Sequence, residues 1–261
     1  MSAYPFLKGH GTRNDFVILP DLDGSVHGDL DDDRVRALCD RRGGIGGDGV
    51  LRVVRRDGRW FMDYRNADGS IAEMCGNGIR VFARYLADEG LVDVDDTVEV
   101  DTRAGVKAIT FVGDQVAVDM GTATIVGETE VSVGERTWSA ARVDVGNPHA
   151  VAYVDDLAEA GALLEPPRHD ETVYPHGVNV EFVVRRGPDH VAMRVHERGS
   201  GETQACGTGA CAVALTAMPA TGEATVRVDQ PGGTVSITRT ADGRVLMTGP
   251  AVVVASGTTA L

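Results

Sequence analysis

The chain has 261 residues, of which 43% are hydrophobic and 25% are charged, so it is long enough to bury a core without disulfides or a structural metal. Its 39 acidic residues outnumber the 25 basic ones, and the formal net charge of −14 argues against nucleic acid or an anionic membrane as the main partner. No hydrophobic run has the length of a signal peptide core or a membrane span, so we expect a cytoplasmic protein with reduced cysteines.

The first half of the chain predicts short strands and one amphipathic helix. Ile79, Phe82, Ala83 and Leu86 recur at helical spacing, and Gly90 is placed to end that helix. Runs rich in β-branched and aromatic residues predict strands at 50–54, 60–65, 98–102 and 108–112.

The second half repeats this mixture of strands and one helix. Strands are predicted at 141–145, 178–184, 190–196 and 225–228. The helix predicted at 210–217 is apolar on every face and ends before Pro219, so we expect it to be buried.

The two halves also match each other in sequence. When Cys75 is placed on Cys206, the segment MCGNG at 74–78 lies on ACGTG at 205–209, and further matches follow in the same order. We interpret this as an internal duplication, with an N-terminal half at 1–121 and a C-terminal half at 122–261. The last residues of the second half could pack back on the first.

The fold class expected from these patterns is α/β, of the α+β type. It has two pseudo-symmetric domains, each made of strands wrapped around a central helix, with the active site in the cleft between them. In each domain a cysteine, Cys75 or Cys206, stands at the start of that helix.

A cysteine at a helix N-terminus is expected to have a lowered pKa, and the glycines beside it let a ligand carboxylate approach the backbone. A lone cysteine is more often a small buried hydrophobic residue, and we interpret Cys39 and Cys211 in that way. The repeated context of Cys75 and Cys206 favours a functional pair.

Two such groups on opposite sides of a carbon could invert a stereocentre. One thiolate would remove the Cα proton, and the other group, as a thiol, would deliver a proton to the opposite face. The sulfurs would then be about 6–7 Å apart. This scheme needs neither a cofactor nor a metal, and the chain has only two lysines, Lys8 and Lys107, that could form a Schiff base.

Five segments carry a family resemblance. They are YRNADGS at 64–70 with MCGNG at 74–78, ERGSGETQACGTG at 197–209, GTRNDFV at 11–17, GNPHAV at 146–151 and GVNVE at 177–181. In this order, and over essentially the whole chain, they resemble the diaminopimelate epimerase family. The resemblance implies a cofactor-independent isomerase that interconverts LL- and meso-diaminopimelate for lysine and peptidoglycan synthesis. It also implies two pseudo-symmetric domains and a homodimer.

The resemblance also implies roles for individual residues. Cys75 and Cys206 would be the catalytic acid and base. The backbones of four residues would hold the carboxylate at the reacting centre: Gly76, Asn77, Gly207 and Thr208. Four side chains would hold the distal amino-acid end of the substrate: Asn66, Asn179, Glu197 and Arg198. Asn14, Asn147 and His149 would line the reacting end.

Other interpretations of these residues remain open. Asn66 lies in a good turn sequence, and His149 could be structural. A proline or hydroxyproline racemase would use the same chemistry, but we would expect a histidine where Asn77 stands. A non-catalytic thiol protein that binds amino acids is a third possibility. The chain departs from the family pattern at Thr12-Arg13 and Asp48-Gly49, and we assign no contact to the latter loop.

Overall fold

The computed structural model describes residues 3–261. Its three α-helices are α1 (Asp32–Cys39), α2 (Gly76–Asp88) and α3 (Gly207–Ala217), and a short 3-10 helix spans Leu157–Ala160. The strands up to residue 122 are β1 (Tyr4–Gly11), β2 (Asn14–Pro20), β3 (Gly49–Arg56), β4 (Arg59–Asn66), β5 (Val98–Thr102), β6 (Gly105–Val112) and β7 (Gln115–Thr122). The later strands are β8 (Thr124–Val133), β9 (Arg136–Asp144), β10 (Pro148–Tyr153), β11 (Arg168–His169), β12 (Asn179–Gly187), β13 (His190–Glu197), β14 (Gly201–Thr203), β15 (Ala224–Gln230), β16 (Gly233–Arg239), β17 (Arg244–Pro250) and β18 (Val252–Thr259).

The chain divides into two compact units. Unit 1 contains Met1–Val118 together with Gly249–Leu261, and unit 2 contains Asp119–Thr248. None of the helices in the described range 3–261 has the length and apolar character needed to cross a membrane.

In unit 1 the strands pair in the order β18-β1-β2-β3-β4-β5-β6-β7. The β2–β3 and β4–β5 pairs are parallel and the others are antiparallel. Helix α2 packs against β1, β2, β3, β4 and β18. Its predicted inner residues, Ile79, Phe82, Ala83 and Leu86, are all fully buried. The amphipathic pattern therefore places α2 at the centre of the unit, as predicted.

Unit 2 shows the same sequence of pairings. Its strands follow the order β8-β9-β10-β12-β13-β15-β16-β17, and again only the third and fifth pairs, β10–β12 and β13–β15, are parallel. Helix α3 contacts β8, β9, β10, β12, β13, β15 and β16, and its residues from Ala210 to Ala214 are fully buried. This common arrangement supports the duplication inferred from sequence, and it confirms the mixed α/β class.

Candidate active site

Cys75 caps the central helix of unit 1. It is the N-cap residue of α2, and its Sγ accepts a hydrogen bond from the Gly78 amide at 3.4 Å. Its extended backbone, with φ −137° and ψ 121°, is the conformation expected of an N-cap. The first amides of a helix lack acceptors within it and carry partial positive charge, so α2 begins with donors suited to a carboxylate. The predicted position of Cys75 is confirmed.

Asn14 and Asn77 lie directly beside this cysteine. The Asn14 Oδ1 accepts hydrogen bonds from Cys75 Sγ at 3.6 Å and from Asn77 Nδ2 at 3.2 Å. The Asn77 Oδ1 in turn accepts from Arg80 Nη2 at 3.0 Å. Arg80 is fully buried and also donates to the Gly76 carbonyl at 3.4 Å. A buried guanidinium, which sequence reasoning missed, therefore orients this part of the site.

Asp48 fixes the orientation of Asn14. Its Oδ2 accepts hydrogen bonds from Asn14 Nδ2 at 2.7 Å and from the Asp15 amide at 3.1 Å. Arg41 holds both carboxylates, at 2.7 Å from Asp48 and 2.6 Å from Asp15. Since Asn14 turns its NH₂ group toward Asp48, its oxygen faces Cys75. The loop to which the sequence assigned no contact thus supports the site from behind Asn14.

A strained turn leads into Asn14. Thr12 and Arg13 connect β1 and β2 as a two-residue turn, with φ values of 51° and 62°. Positive φ at both central positions is typical of the type I′ hairpin, which glycine or asparagine usually fills. The Thr12 hydroxyl donates to Asn77 Oδ1 at 3.4 Å. The chain departs from the family pattern at Thr12-Arg13, and the backbone of this turn is strained. The Thr12 side chain anchors the turn to the site.

Asn66 lies at the end of β4 within a tight turn. Its Nδ2 donates to Ser70 Oγ at 3.0 Å, and its backbone amide donates to the Ser70 carbonyl at 3.0 Å. Asp68 accepts hydrogen bonds from the amide and the hydroxyl of Ser70. The turn interpretation of Asn66 is confirmed, while its proposed contact with a substrate stays a prediction.

Cys206 caps the central helix of unit 2 in the same way. Its Sγ accepts a hydrogen bond from the Gly209 amide at 3.3 Å, and its backbone has φ −120° and ψ 117°. Gly209 is closely surrounded, because a Cβ there would lie 2.7 Å from Glu181 Oε1 and 3.2 Å from Cys206 Sγ. Only glycine therefore fits this position without movement of its neighbours.

Thr208 and Asn147 continue the hydrogen bonds from Cys206. Thr208 Oγ1 lies 3.6 Å from Cys206 Sγ and accepts a hydrogen bond from Asn147 Nδ2 at 3.3 Å. The amide of Cys206 donates to Gln230 Oε1 at 2.7 Å. Gln230, which sequence reasoning missed, thereby fixes the backbone at the cysteine.

His149 joins this group to a buried carboxyl. Its Nε2 lies 3.0 Å from Asn147 Oδ1, and its Nδ1 lies 2.6 Å from Glu181 Oε1. The side chains of His149 and Glu181 are both fully buried. Burial raises the pKa of Glu181, and the nearby His149 opposes that rise. Glu181 belongs to the GVNVE segment, but no sequence pattern predicts a role for it.

The environment of Cys206 reverses one expectation from sequence. Burial, followed by the carboxylates of Glu197 and Glu181, raises the pKa of the Cys206 thiol well above its usual value. The hydrogen bonds from Thr208 and Gly209 lower it, but by less. The predicted lowering of the pKa is therefore wrong for Cys206, because desolvation outweighs the favourable helix N-terminus.

The other predicted residues of unit 2 form a second group. Asn179 donates from Nδ2 to the Pro148 carbonyl at 3.1 Å, and its Oδ1 accepts from the Arg198 amide at 2.9 Å. Arg198 is exposed and donates to the His176 carbonyl at 3.4 Å. Glu197 accepts a hydrogen bond from the Thr203 hydroxyl. Asn179 therefore links the strand of His149 to the segment that carries Glu197 and Arg198.

Comparison with known proteins identifies the family. The family model described as diaminopimelate epimerase matches residues 6–126 and 141–254. The chain belongs to the diaminopimelate epimerase family. It is 58% identical to the diaminopimelate epimerase of Streptomyces coelicolor, over 97% of this chain and 94% of that protein. It is 46% identical to the enzyme of Corynebacterium glutamicum, over 97% of each chain.

Solved structures share the fold of this family member at low sequence identity. A phenazine biosynthesis protein of the PhzF family from Bacillus anthracis gives a TM-score of 0.76 at 15% identity and covers 100% of both chains. A hydroxyproline epimerase from Agrobacterium vitis gives 0.64 at 16% identity, over 99% of this chain and 93% of that one. At these identities the likeness establishes the fold alone.

The structure brings together two groups of the site residues predicted for this diaminopimelate epimerase family member. In unit 1 these are Asn14, Cys75, Gly76 and Asn77, and in unit 2 they are Asn147, His149, Cys206, Gly207 and Thr208. Asn66 is bonded within its own turn, and Asn179, Glu197 and Arg198 form the separate second group described above. The two remaining cysteines, Cys39 and Cys211, are buried as predicted, and burial raises the pKa of Cys39 to about 11.

Proposed function

We propose that this chain interconverts LL- and meso-diaminopimelate by proton transfer at Cα, with Cys75 and Cys206 as the two acid/base groups. The observation that carries this proposal is the repeated helix cap. In each of two matching units, a cysteine sulfur accepts an amide hydrogen bond at the start of the central helix. Membership of the diaminopimelate epimerase family supports the same substrate and reaction.

The proposed reaction uses one thiolate and one thiol. The thiolate takes the Cα proton, the resulting carbanion-like charge spreads onto the substrate carboxylate, and the thiol delivers a proton to the opposite face. Cys206 suits the role of the thiol in one direction, because burial raises its pKa. In each turnover one sulfur gains a proton and the other loses one, so the pair holds the same number of protons before and after. In the reverse direction the two sulfurs exchange roles.

Two helix N-termini would stabilise the charge that develops on the carboxylate. We assign this to the backbones of Gly76 and Asn77 in α2 and of Gly207 and Thr208 in α3, where amides lack helical acceptors. Asn14, Asn147 and His149 would line the same end of the substrate. Asn14 accepts a hydrogen bond from Cys75, and Asn147 donates one to Thr208 in the first turn of α3.

The distal end of the substrate carries a carboxylate and an ammonium group. We propose that Arg198 binds the carboxylate, that Glu197 pairs with the ammonium, and that Asn66 and Asn179 complete the hydrogen bonds. Substrates without this end would leave the polar groups unpaired and would be rejected. We further propose that the enzyme acts in the cytoplasm as a homodimer, needs neither cofactor nor metal, and serves lysine and peptidoglycan precursor synthesis.

Deuterium incorporation tests the reaction directly. The reduced protein is incubated in D₂O with LL-diaminopimelate and no cofactor, and the product is analysed for Cα deuterium and for the meso isomer. We expect deuterated meso product, and we expect the Cys75→Ala and Cys206→Ala variants each to lose about 10²–10⁴-fold in rate, as general acid–base catalysis predicts. Cys211→Ala is the matched control, since Cys211 lies on α3 but is buried within the core.

Parallel reactions with proline and hydroxyproline separate the alternatives. Exchange with proline but not with diaminopimelate would transfer the chain to the proline racemase type of enzyme. No exchange with any substrate, from folded and reduced protein, would contradict catalysis and favour a binding protein. Equal losses in the Cys211→Ala control would contradict the specific roles of Cys75 and Cys206.

A further inference from the structure

We infer that Glu181 is a positioning residue for Cys206 and acts on it through His149, Asn147 and Thr208. In this arrangement Glu181 and His149 form a hydrogen-bonded pair with no net charge. The contacts form an unbroken line within unit 2. From Glu181 Oε1 the distances are 2.6 Å to His149 Nδ1, then 3.0 Å from Nε2 to Asn147 Oδ1. They continue with 3.3 Å from Asn147 Nδ2 to Thr208 Oγ1, and 3.6 Å from Thr208 Oγ1 to Cys206 Sγ.

The donors and acceptors along this line determine where the protons lie. His149 Nε2 faces an amide oxygen, which only accepts, so Nε2 must carry a proton. At the other side of the ring, a 2.6 Å contact with Glu181 Oε1 requires one proton between the two atoms. The Glu181–His149 pair therefore holds two protons and has no net charge. It is either carboxylic acid with imidazole or carboxylate with imidazolium.

Burial explains why the pair stays neutral. Both side chains are fully inaccessible, and an isolated charge in such a place is costly. The raised pKa of Glu181 agrees with this protonation. If the pair lost a proton, the negative charge of Glu181 would lie next to Gly209 and would raise the pKa of Cys206, as the carboxylate of Glu197 does. The proton shared with His149 reduces this repulsion between Glu181 and a thiolate at Cys206.

The same line of contacts turns the Thr208 hydroxyl toward sulfur. Thr208 Oγ1 accepts its hydrogen bond from Asn147 Nδ2, so its own proton is available for Cys206 Sγ. A hydroxyl that donates to sulfur stabilises the thiolate more than the thiol. Glu181 thus acts at a distance by fixing the tautomer of His149, the orientation of the Asn147 amide and the direction of the Thr208 hydroxyl.

The rate of Cys206 alkylation by iodoacetamide reports this effect without any turnover. The rate follows the fraction of Cys206 that is thiolate. It is measured in a Cys75→Ala background, and fragmentation of the labelled peptide distinguishes Cys206 from Cys211. Glu181→Met removes the carboxyl group that bonds to His149 and keeps a side chain of similar size. We expect alkylation to become about tenfold slower, because losing the oriented hydrogen bond from Thr208 raises the pKa of Cys206.

Three further variants make the test specific. Glu181→Gln is uncharged and keeps a hydrogen-bonding group, so it should retain a rate close to that of the unmodified background. Thr208→Val should slow alkylation as much as Glu181→Met does, and the double variant should be no slower than either single variant. Glu159→Gln, on the short 3-10 helix of the same unit, is the control and should change nothing.

The possible results decide the inference in either direction. Unchanged alkylation in Glu181→Met would overturn the inference, because it would show that Glu181 does not act on Cys206. Faster alkylation would also overturn it, because it would show that Glu181 acts as a negative charge. Slow alkylation in Glu181→Gln would overturn the neutral pair. If Glu181→Met fails to fold, Thr208→Val and Glu181→Gln still decide the outcome. The inference rests on the proposed role of Cys206, but alkylation can fail to respond while deuterium exchange succeeds, so the two failures are distinguishable.

Discussion

Asn14 and Asn147 occupy equivalent positions, at the start of β2 and directly before β10, but different ionisable groups lie behind them. Asn14 contacts Cys75 and, through Asn77, the buried guanidinium of Arg80. Asn147 contacts Thr208 and, through His149, the buried carboxyl of Glu181. The two cysteines therefore stand in repeated backbone settings with different ionisable groups behind them. Such a difference suits a reaction in which one sulfur must be a thiolate while the other is a thiol.

The turn before Asn14 offers a test of strain at a single residue. Arg13 is exposed and has φ 62°, a left-handed conformation that costs a non-glycine residue about 1–2 kcal/mol. We expect Arg13→Gly to raise the free energy of unfolding by up to about 1 kcal/mol. The relief of backbone strain is partly offset, because glycine increases the conformational entropy of the unfolded chain. Urea unfolding followed by circular dichroism measures this change.

Thr12→Gly is the matched variant for this turn. Its φ is also positive, at 51°, but its hydroxyl bonds to Asn77 and Arg80. Relief of strain should then be offset by the lost contacts, so Thr12→Gly should not stabilise the protein. Equal stabilisation by both variants would show that the Thr12 hydroxyl contributes nothing.

At the scale of elements, the two central helices begin in the same way but differ in how closely they are packed. A Cβ at Gly209 of α3 would lie 2.7 Å from Glu181 Oε1, whereas a Cβ at Gly78 of α2 would have no neighbour closer than 3.3 Å, at Leu51. Alanine within a helix is favoured over glycine by about 1 kcal/mol. The balance between propensity and crowding should therefore differ between the two helices.

We expect Gly209→Ala to destabilise the protein by about 1–3 kcal/mol, the usual cost of overpacking. Gly78→Ala should change stability by less, because its contacts can relax by a few tenths of an ångström. Thermal unfolding monitored by circular dichroism gives both values. A larger loss in Gly78→Ala than in Gly209→Ala would contradict the close packing of Glu181 under α3.

Sequence patterns predicted two of the central elements and part of the sheet. The residues that define α2 recur at helical spacing, and all eight predicted strands are present, with β5 at the predicted residues 98–102. The eight predictions account for eight of the eighteen strands in residues 3–261, and β8 and β18 are among the strands that were not predicted. Most of their residues are exposed, including Ile125, Val126 and Val254, so neither strand shows an alternation of buried and exposed positions.

The candidate site was predicted where the repeated motifs and the family resemblance reach. Cys75 and Cys206 follow from helix-starting glycine turns, and the roles of Asn14 and Asn147 follow from the resemblance. Glu181 could not be assigned a partner, because His149 lies 32 residues away and only the parallel pairing of β10 with β12 brings the two together. Its single signal was a carboxyl group in a run of apolar strand residues.

For the whole molecule, the two units differ in how their sheets are completed. Strand β18 pairs with β1 from Tyr4↔Thr259 to His10↔Val252, and it takes in unit 1 the place that β8 takes in unit 2. It also packs on α2, and the Pro250 carbonyl just before it accepts a hydrogen bond from Arg80 at 3.4 Å. Unit 1 therefore depends on the far end of the chain.

Removing β18 should weaken unit 1 selectively. In a chain that ends at Ala251, we expect the amides of β1 and α2 to exchange hydrogen much faster, because β1 loses a paired neighbour and α2 loses packing. Strands β12 and β13 of unit 2 should keep their protection. Hydrogen exchange followed by mass spectrometry measures both units in one experiment.

Val254→Thr is the control for this truncation. Val254 is 55% exposed on β18, so the substitution leaves the strand pairing in place and should not alter exchange in β1. Faster exchange throughout unit 2 in the truncated chain would contradict a selective effect on unit 1.

The position of β18 also sets an order of events during synthesis. Unit 2 is one uninterrupted stretch, Asp119–Thr248, whereas unit 1 needs a strand that is translated after all of it. A nascent chain must therefore carry β1 with an open edge while the later unit is being made, and such an edge can pair with other strands. The half of the molecule that emerges first from the ribosome is the half that is finished last.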